Sequence, residues 1–239
     1  MQQNELVPVQ YRQKIDFGNS DGFGPPLSVD SIARWAAAHP GKLYVLGDEP
    51  NGHLCIEPAA YARMFHDAVL TIRASDSTAL FSPAGFQEIS EPCLHHLSSY
   101  EYADAFYKAY VEAYRAPPPA QEYRFHAFAA LAAGDTAGWF RRVDSAAAWA
   151  SAHSKPMVLG SWGFHGWLMS DSAFAPLLRR MLDSLQHDPR VIQVVWYRYE
   201  REREGCCPHT LTDSAGNLTT EGLLYSEFAA RRRTARVPQ

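Results

Sequence analysis

The feature that most constrains this chain is a recurring alternation: a short apolar run, then a longer stretch with helical periodicity. The apolar runs are Leu43–Leu46, Ala79–Ser82, Tyr123–Ala127, Met157–Gly160 and Ile192–Tyr197, with a weaker one at Tyr11–Phe17. Most are too short for helices and are bounded by Gly, Pro or Asp, which predicts strands. Between them the spacing predicts helices. One runs through Ala38, after cap residues in Ser28-Val29-Asp30-Ser31 and before the stop Pro40-Gly41. One opens at Pro58 and runs to about Ala74, with Tyr61, Phe65, Ala68 and Ile72 on one face. Tyr100–Tyr114 carries Ala103, Phe106, Tyr107, Tyr110, Val111 and Tyr114 at helical spacing; Asp135–His153, Ser172–Leu185 and Glu221–Arg231 complete the set. Such aromatic stripes are core faces. Strands alternating with helices make a parallel sheet with helices outside it. An open doubly wound sheet and a closed eight-fold barrel both fit, and both place chemistry at the carboxyl ends of the strands.

Length and composition narrow the function classes. A chain of 239 residues suits one domain, taken as 1–239. With 46% hydrophobic residues, 20% charged and a net charge of −4, it has a core's worth of apolar side chains and no nucleic-acid footprint. The basic run Arg231-Arg232-Arg233 with Arg236 is a solvated tail in this reading. No apolar stretch reaches the length of a membrane span, and Met1-Gln2-Gln3-Asn4-Glu5 lacks a signal pattern. Four cysteines in a chain this long do not make a disulfide framework. Cys206-Cys207-Pro208-His209 lacks a second pair at zinc spacing, so no metal is expected there. Gly18-Asn19-Ser20-Asp21-Gly22-Phe23-Gly24 lacks the Gly-Lys-Ser/Thr ending of a phosphate loop, and no cofactor is expected. A cytoplasmic location is the default expectation.

The residues just past each strand carry the chemistry. They are Gly47-Asp48-Glu49-Pro50-Asn51-Gly52, Ser82-Pro83-Ala84-Gly85-Phe86, Phe125-His126-Ala127-Phe128, Gly160-Ser161-Trp162-Gly163-Phe164 and Trp196-Tyr197-Arg198-Tyr199-Glu200. A Glu, a His, a Ser and several aromatics thus gather at one predicted rim. That is the make-up of a sugar site, with carboxyl groups for proton transfer and indole rings for stacking on pyranose faces.

Gly47-Asp48-Glu49-Pro50-Asn51 resembles the Gly-Asn-Glu-Pro-Asn signature of the barrel-fold glycoside hydrolases of clan A. The likeness extends to Tyr61-Ala62-Arg63-Met64-Phe65-His66-Asp67, to Thr78–Phe86, to Arg124-Phe125-His126-Ala127-Phe128, to Lys155–Gly163 and to Val194-Val195-Trp196-Tyr197, over about residues 40 to 230. The resemblance implies a (β/α) barrel in which these segments form strands four to eight or the stretches after them. It implies Glu49 as the acid/base, the residue before it as a ligand of the sugar 2-hydroxyl, and Trp196 as the floor of a sugar subsite.

Three departures shape the expectation. Where the family carries a nucleophilic Glu at the end of strand seven, this chain has Ser161. Retaining hydrolysis uses two carboxyl groups roughly 5–5.5 Å apart, which a serine cannot supply. Asp48 replaces the Asn before the acid/base. Before the strand-four equivalent there is room for one strand and one helix, so the barrel is expected to be shortened or incomplete at its N-terminus, with the N-terminal segment, a loop or a second copy of the chain over the opening.

The expected site is therefore Glu49, His126 and Ser161 for chemistry, with Asp48, Asn51, Trp162, Trp196 and Glu200 toward substrate. Asn51 caps the following turn or touches ligand; His126 is a site residue or a satisfied core histidine. Glu200 shares a strand face with Trp196 on period-two spacing and is the candidate for a displaced second carboxylate. Three functions stay open: a glycosidase-type enzyme on a carbohydrate or glycosylated small molecule, a catalytically lapsed barrel that binds one, and a repurposed barrel using Glu49 and His126 for proton transfer on a non-sugar. An acyl-hydrolase reading with Ser161, Asp183 and His209 has only half of the G-x-S-x-G elbow, because Leu159 stands at its first Gly. His95-His96 fall in a long loop expected to be exposed or a lid.

Overall fold

The computed structural model describes residues 12–15, 29–52, 55–87, 97–130, 136–165, 171–196 and 210–235. Among them the chain runs β1 (Arg12–Ile15), α1 (Val29–Ala38), β2 (Leu43–Leu46), α2 (Pro58–Ser75), β3 (Leu80–Pro83), β4 (Gly85–Phe86), α3 (Ser99–Tyr114), β5 (Tyr123–Ala130), α4 (Thr136–Ala152), β6 (Met157–His165), α5 (Asp171–His187), β7 (Val191–Trp196) and α6 (Thr220–Ala235). Every paired strand is parallel to its neighbour, in the orders β1-β2-β3 and β4-β5-β6-β7. Only Ala84 separates β3 from β4, so the two sheets are successive parts of one winding.

The break at Ala84 is held by Tyr61 of α2. Its hydroxyl donates to Leu46 O at 2.7 Å and accepts from Ala84 N at 2.7 Å, which ties β2, the break and the helix layer together without exposing a backbone group. Burial of that phenol pushes its pKa far up, with the Ala84 hydrogen bond working against the shift. A parallel bridge between Phe81 and Ala120, with Gln121 N donating to Phe81 O at 2.8 Å, carries the winding on toward β5.

Alternation in the strands sorts the side chains. Tyr44, Leu46, Phe81, Phe125, Met157 and Leu159 are buried in the core shared with the helices. The helices answer with one face each. Tyr61, Phe65, Val69 and Ile72 of α2 are buried against Tyr102, Phe106 and Tyr110 of α3, with Tyr61–Phe106 ring centroids 5.0 Å apart and Phe65–Phe106 edge-on at 5.6 Å. Pro58 starts α2, where its missing N–H costs nothing. Glu101 starts α3 by accepting from Ser98 N and Ser98 Oγ, and those bonds hold its carboxyl below the usual range.

The predicted parallel α/β architecture is observed. Closure is not: among the described residues β1 and β7 each pair on one side only. No described helix is long and apolar enough to cross a membrane.

Candidate active site

Glu49 sits just past β2, in a tight turn at the carboxyl end of the strand. Gly47 and Glu49 both adopt positive φ, 95° and 40°. For glycine this is free; for a glutamate it costs of order 1 kcal/mol or more and needs support from its surroundings. The support is visible. Glu49 N donates to Gly85 O at 3.2 Å, Gly52 N to Glu49 O at 2.9 Å, and Ile56 N to Pro50 O at 2.7 Å. Asn51 is fully buried and its amide bridges to the end of β4: Nδ2 donates to Gln87 O at 2.5 Å and Oδ1 accepts from Gln87 N at 2.8 Å. The turn is thus clamped to the neighbouring strand on both sides of Glu49.

His126 comes from β5 and meets it. His126 Nδ1 lies 2.5 Å from Glu49 Oε1, with side-chain exposures of 6% and 15%. The contact is a short side-chain hydrogen bond largely shielded from water. Two glycines make the meeting possible. A Cβ on Gly85 would lie 1.9 Å from His126 Nε2, and one on Gly160 would lie 3.3 Å from His126 Cδ2. No other residue fits at 85 while the imidazole holds this position.

The β5–β6 register shifts beside His126. Phe125 pairs with Leu159 and His126 with Ser161, so Gly160 is an extra residue on β6. Bulges of this kind bend a strand and re-aim the side chains beyond them. Here the bulge brings Ser161 level with His126 in the backbone register. Ser161 and Trp162 are placed by backbone register alone; Trp162 pairs with both Ala127 and Trp196.

The remaining predicted residues fall differently. Asp48 is half-buried next to Glu49. Asn51 spends its amide on the Gln87 backbone, which makes it a structural clamp whatever else it touches. Trp196 is 8% exposed and its ring packs edge-on to Tyr225 of α6 at 5.8 Å, while Tyr225 Oη donates to Val194 O. Glu200, His95, His96 and the Cys206–His209 segment lie outside the described residues. Asp183, the acid of the acyl-hydrolase alternative, is on the outer helix α5 in an exposed ion pair with Arg231 at 3.0 Å, which removes it from any triad with Ser161. No group of three or more His, Cys, Asp or Glu among the described residues could hold a metal.

Two features escaped the sequence. Gln87 proves to be the anchor of the Glu49 turn, buried at 7% exposure, with its side-chain carboxamide against Gly52. The signal that could have found it is its place one residue beyond the strand neighbouring the motif. Cys55, just past the turn and also at positive φ, is disulfide-bonded.

No family model matches the chain, and no curated protein matches it. Solved structures do. The fold is similar to a GH128 (subgroup II) endo-β-1,3-glucanase from Pseudomonas viridiflava, with a TM-score of 0.63 and 20% identity over 83% of this chain and 74% of that one. It is similar to the subgroup II endo-β-1,3-glucanase from Sorangium cellulosum, with a TM-score of 0.62 and 16% identity over 90% and 78%. It is also similar to the subgroup I endo-β-1,3-glucanase from Amycolatopsis mediterranei in complex with laminaripentaose, with a TM-score of 0.56 and 13% identity over 90% and 80%. At these identities the likeness is one of fold.

Proposed function

We propose that this protein is a glycosidase-type (β/α) barrel that acts on a β-1,3-linked glucan with Glu49 as general acid. The observation that carries this reading is the Glu49–His126 pair at the carboxyl end of the strands, 2.5 Å across and nearly dry. Fold alone does not choose a chemistry; the fold of the β-1,3-glucanases supplies the substrate class, and the pair supplies the proton. Glu49 protonates the glycosidic oxygen as the bond to the anomeric carbon breaks, and His126 holds the carboxyl in its rotamer. Ser161 stands level with His126, so a covalent glycosyl-enzyme at that position is not available. Water then attacks directly with inversion of the anomer and gives its proton to a second carboxylate, for which Glu200 is the candidate in the sequence.

A second reading rests on the same serine. A barrel whose strand-seven carboxylate has become Ser161 binds the glucan without cleaving it, and Glu49 then serves as a hydrogen-bonding wall of the site.

Laminaripentaose incubated with the full chain and with Glu49→Gln separates the readings. Release of reducing ends that falls by about 100-fold or more in the variant supports the enzyme. Silence from both, with the pentasaccharide quenching tryptophan fluorescence, supports the binder. Silence with no quenching overturns the glucan assignment and leaves proton transfer on a non-sugar.

A further inference from the structure

One polar group at the Glu49 turn is left unspent. Gln87 directly follows β4. Its backbone is fully used, with N donating to Asn51 Oδ1 and O accepting from Asn51 Nδ2. Its carboxamide is not. Gln87 is 7% exposed, and its Oε1 is buried without a hydrogen-bond partner among the described residues. The large majority of buried side-chain acceptors are paired, because an unpaired one forfeits the bonds it made to water. Beside a proposed site, an acceptor kept in that condition is accounted for by a ligand that brings the donor.

The place of the carboxamide narrows the ligand. Alternation puts Gln87 on the same strand face as Gly85, while Phe86 between them is buried in the helix-side core. At Gly85 that face is filled by the imidazole of His126, whose Nε2 stands 1.9 Å from where a Cβ would be. One step nearer the carboxyl end of the strand, the Gln87 carboxamide fills the notch at Gly52, with Oε1 1.9 Å and Cδ 3.0 Å from the Cβ position there. Glu49 Cβ borders the same position at 3.3 Å. Glu49 thus meets His126 with its carboxyl and shares the Gly52 notch with Gln87. A carboxamide is neutral across the working range of pH, so Gln87 neither gives nor takes the proton of the reaction. What it offers is a hydrogen bond beside the residue that moves the proton.

We propose that Gln87 is a substrate-binding residue: its carboxamide oxygen accepts a hydrogen bond from a ring hydroxyl of the glucose unit next to the bond that Glu49 protonates. The inference rests on the reading of this site as a glucan site, and it holds whether the site cleaves the glucan or only binds it. Every hydroxyl that a β-1,3 linkage leaves free is a donor. The last torsion of a glutamine side chain is broad, so the carboxamide turns toward such a donor without leaving its rotamer. In the free protein the oxygen is unpaired; in the complex the sugar pairs it. A site built in this way discriminates against a sugar that lacks the hydroxyl, because the acceptor is then left alone again.

The test compares Gln87→Met and Gln87→Glu with the parent chain. Melting temperature is read on the free proteins. The Kd for laminaripentaose is read by titration calorimetry with Glu49→Gln present in all three, so that no turnover intrudes. Replacing an unpaired buried acceptor by an apolar group of similar shape is neutral or stabilising. Gln87→Met is therefore expected to hold or raise the melting temperature while weakening laminaripentaose binding by about tenfold. Gln87→Glu keeps an acceptor at the same reach and should bind within about threefold of the parent. A lowered melting temperature or a failure to fold in Gln87→Met would make the carboxamide a structural group and overturn the proposal, whatever the affinity does. Unchanged affinity in Gln87→Met overturns it as well. So does Gln87→Glu binding as weakly as Gln87→Met, since the sugar is then not the donor. A parent chain that neither binds nor cleaves laminaripentaose removes the glucan reading and this inference together; a parent that binds, with Gln87→Met binding equally, removes this inference alone.

Discussion

The two ends of the strands use polar groups in opposite ways. At the amino-terminal end each carboxylate is consumed by its neighbours. Asp76, which ends α2, accepts from Gly41 N at 2.8 Å and from Thr78 N and Thr78 Oγ1 at 2.9 and 2.5 Å, tying the turn before β2 to the turn before β3. Asp188 before β7 binds Arg190 through its side chain and backbone, and Arg190 reaches Asp144 of α4 at 2.6 Å. At the carboxyl-terminal end Glu49 and His126 meet one another in a site shaped by glycines, strained backbone and a bulge. One end is tied by structural hydrogen bonds and the other holds the proposed site, as the geometry of parallel α/β folds allows.

That contrast can be broken by substitution. The largest effect is expected from Gly85→Ala. Its methyl would occupy the place of His126 Nε2, so the imidazole must leave Glu49 or the strand must shift. Activity should fall at least about 100-fold, since misplacing a catalytic group by an ångström costs that much, and the His126 ring resonances should move. A Gly85→Ala protein with native rates would show that the pair is not the engine of the site. Asn51→Ala comes next. It leaves Gln87 N and O buried without their partners and releases the strained turn, for a loss of roughly 2–4 kcal/mol by denaturant titration. Its kcat should drop more than its KM rises, because the clamp holds Glu49 in place.

Asp76→Asn, at the other end, should be the smallest, with about 1–2 kcal/mol of stability lost and kcat unchanged. Its pH dependence has a definite sign. Burial works against ionisation of Asp76, but the bonds from Thr78 and Gly41 outweigh it and hold the carboxyl below its usual range. Asp188 is held down as well, first by the Arg190 side chain. A carboxyl with a depressed folded pKa binds fewer protons folded than unfolded. Its stabilisation is therefore present above the unfolded value, about 4, and is lost as pH falls through the folded one. Melting temperature measured down through that range should drop for the parent chain and drop less steeply for Asp76→Asn. Equal slopes would assign the acid limb to other groups.

Much of the architecture was legible because it is local. Leu43–Leu46 was predicted and observed with the same limits, and the helices opening at Pro58 and ending at Tyr114 differ by a residue or two from their predicted spans. Apolar periodicity, a proline at a helix start and a glycine at a stop act within a few residues of themselves, so one chain read alone contains them. The two-residue β4 was missed because its existence depends on β5 beside it. β6 was underestimated at Met157–Gly160 for a similar reason. Its continuation to His165 passes through a bulge that breaks the alternation by which strands are recognised.

The sequence by itself determined the order of elements, the parallel winding and the identity of Glu49 as the residue at a strand mouth, since each follows from short-range chemistry. Tertiary structure alone decided that His126, 77 residues further on, closes on Glu49 and that Asn51 turns its amide to Gln87. It also set the Trp196 ring edge-on to Tyr225 of α6. The physical reason is register. Which residue of one strand lies level with which residue of the next is fixed by packing and by a single extra glycine, and no periodicity within either strand records it.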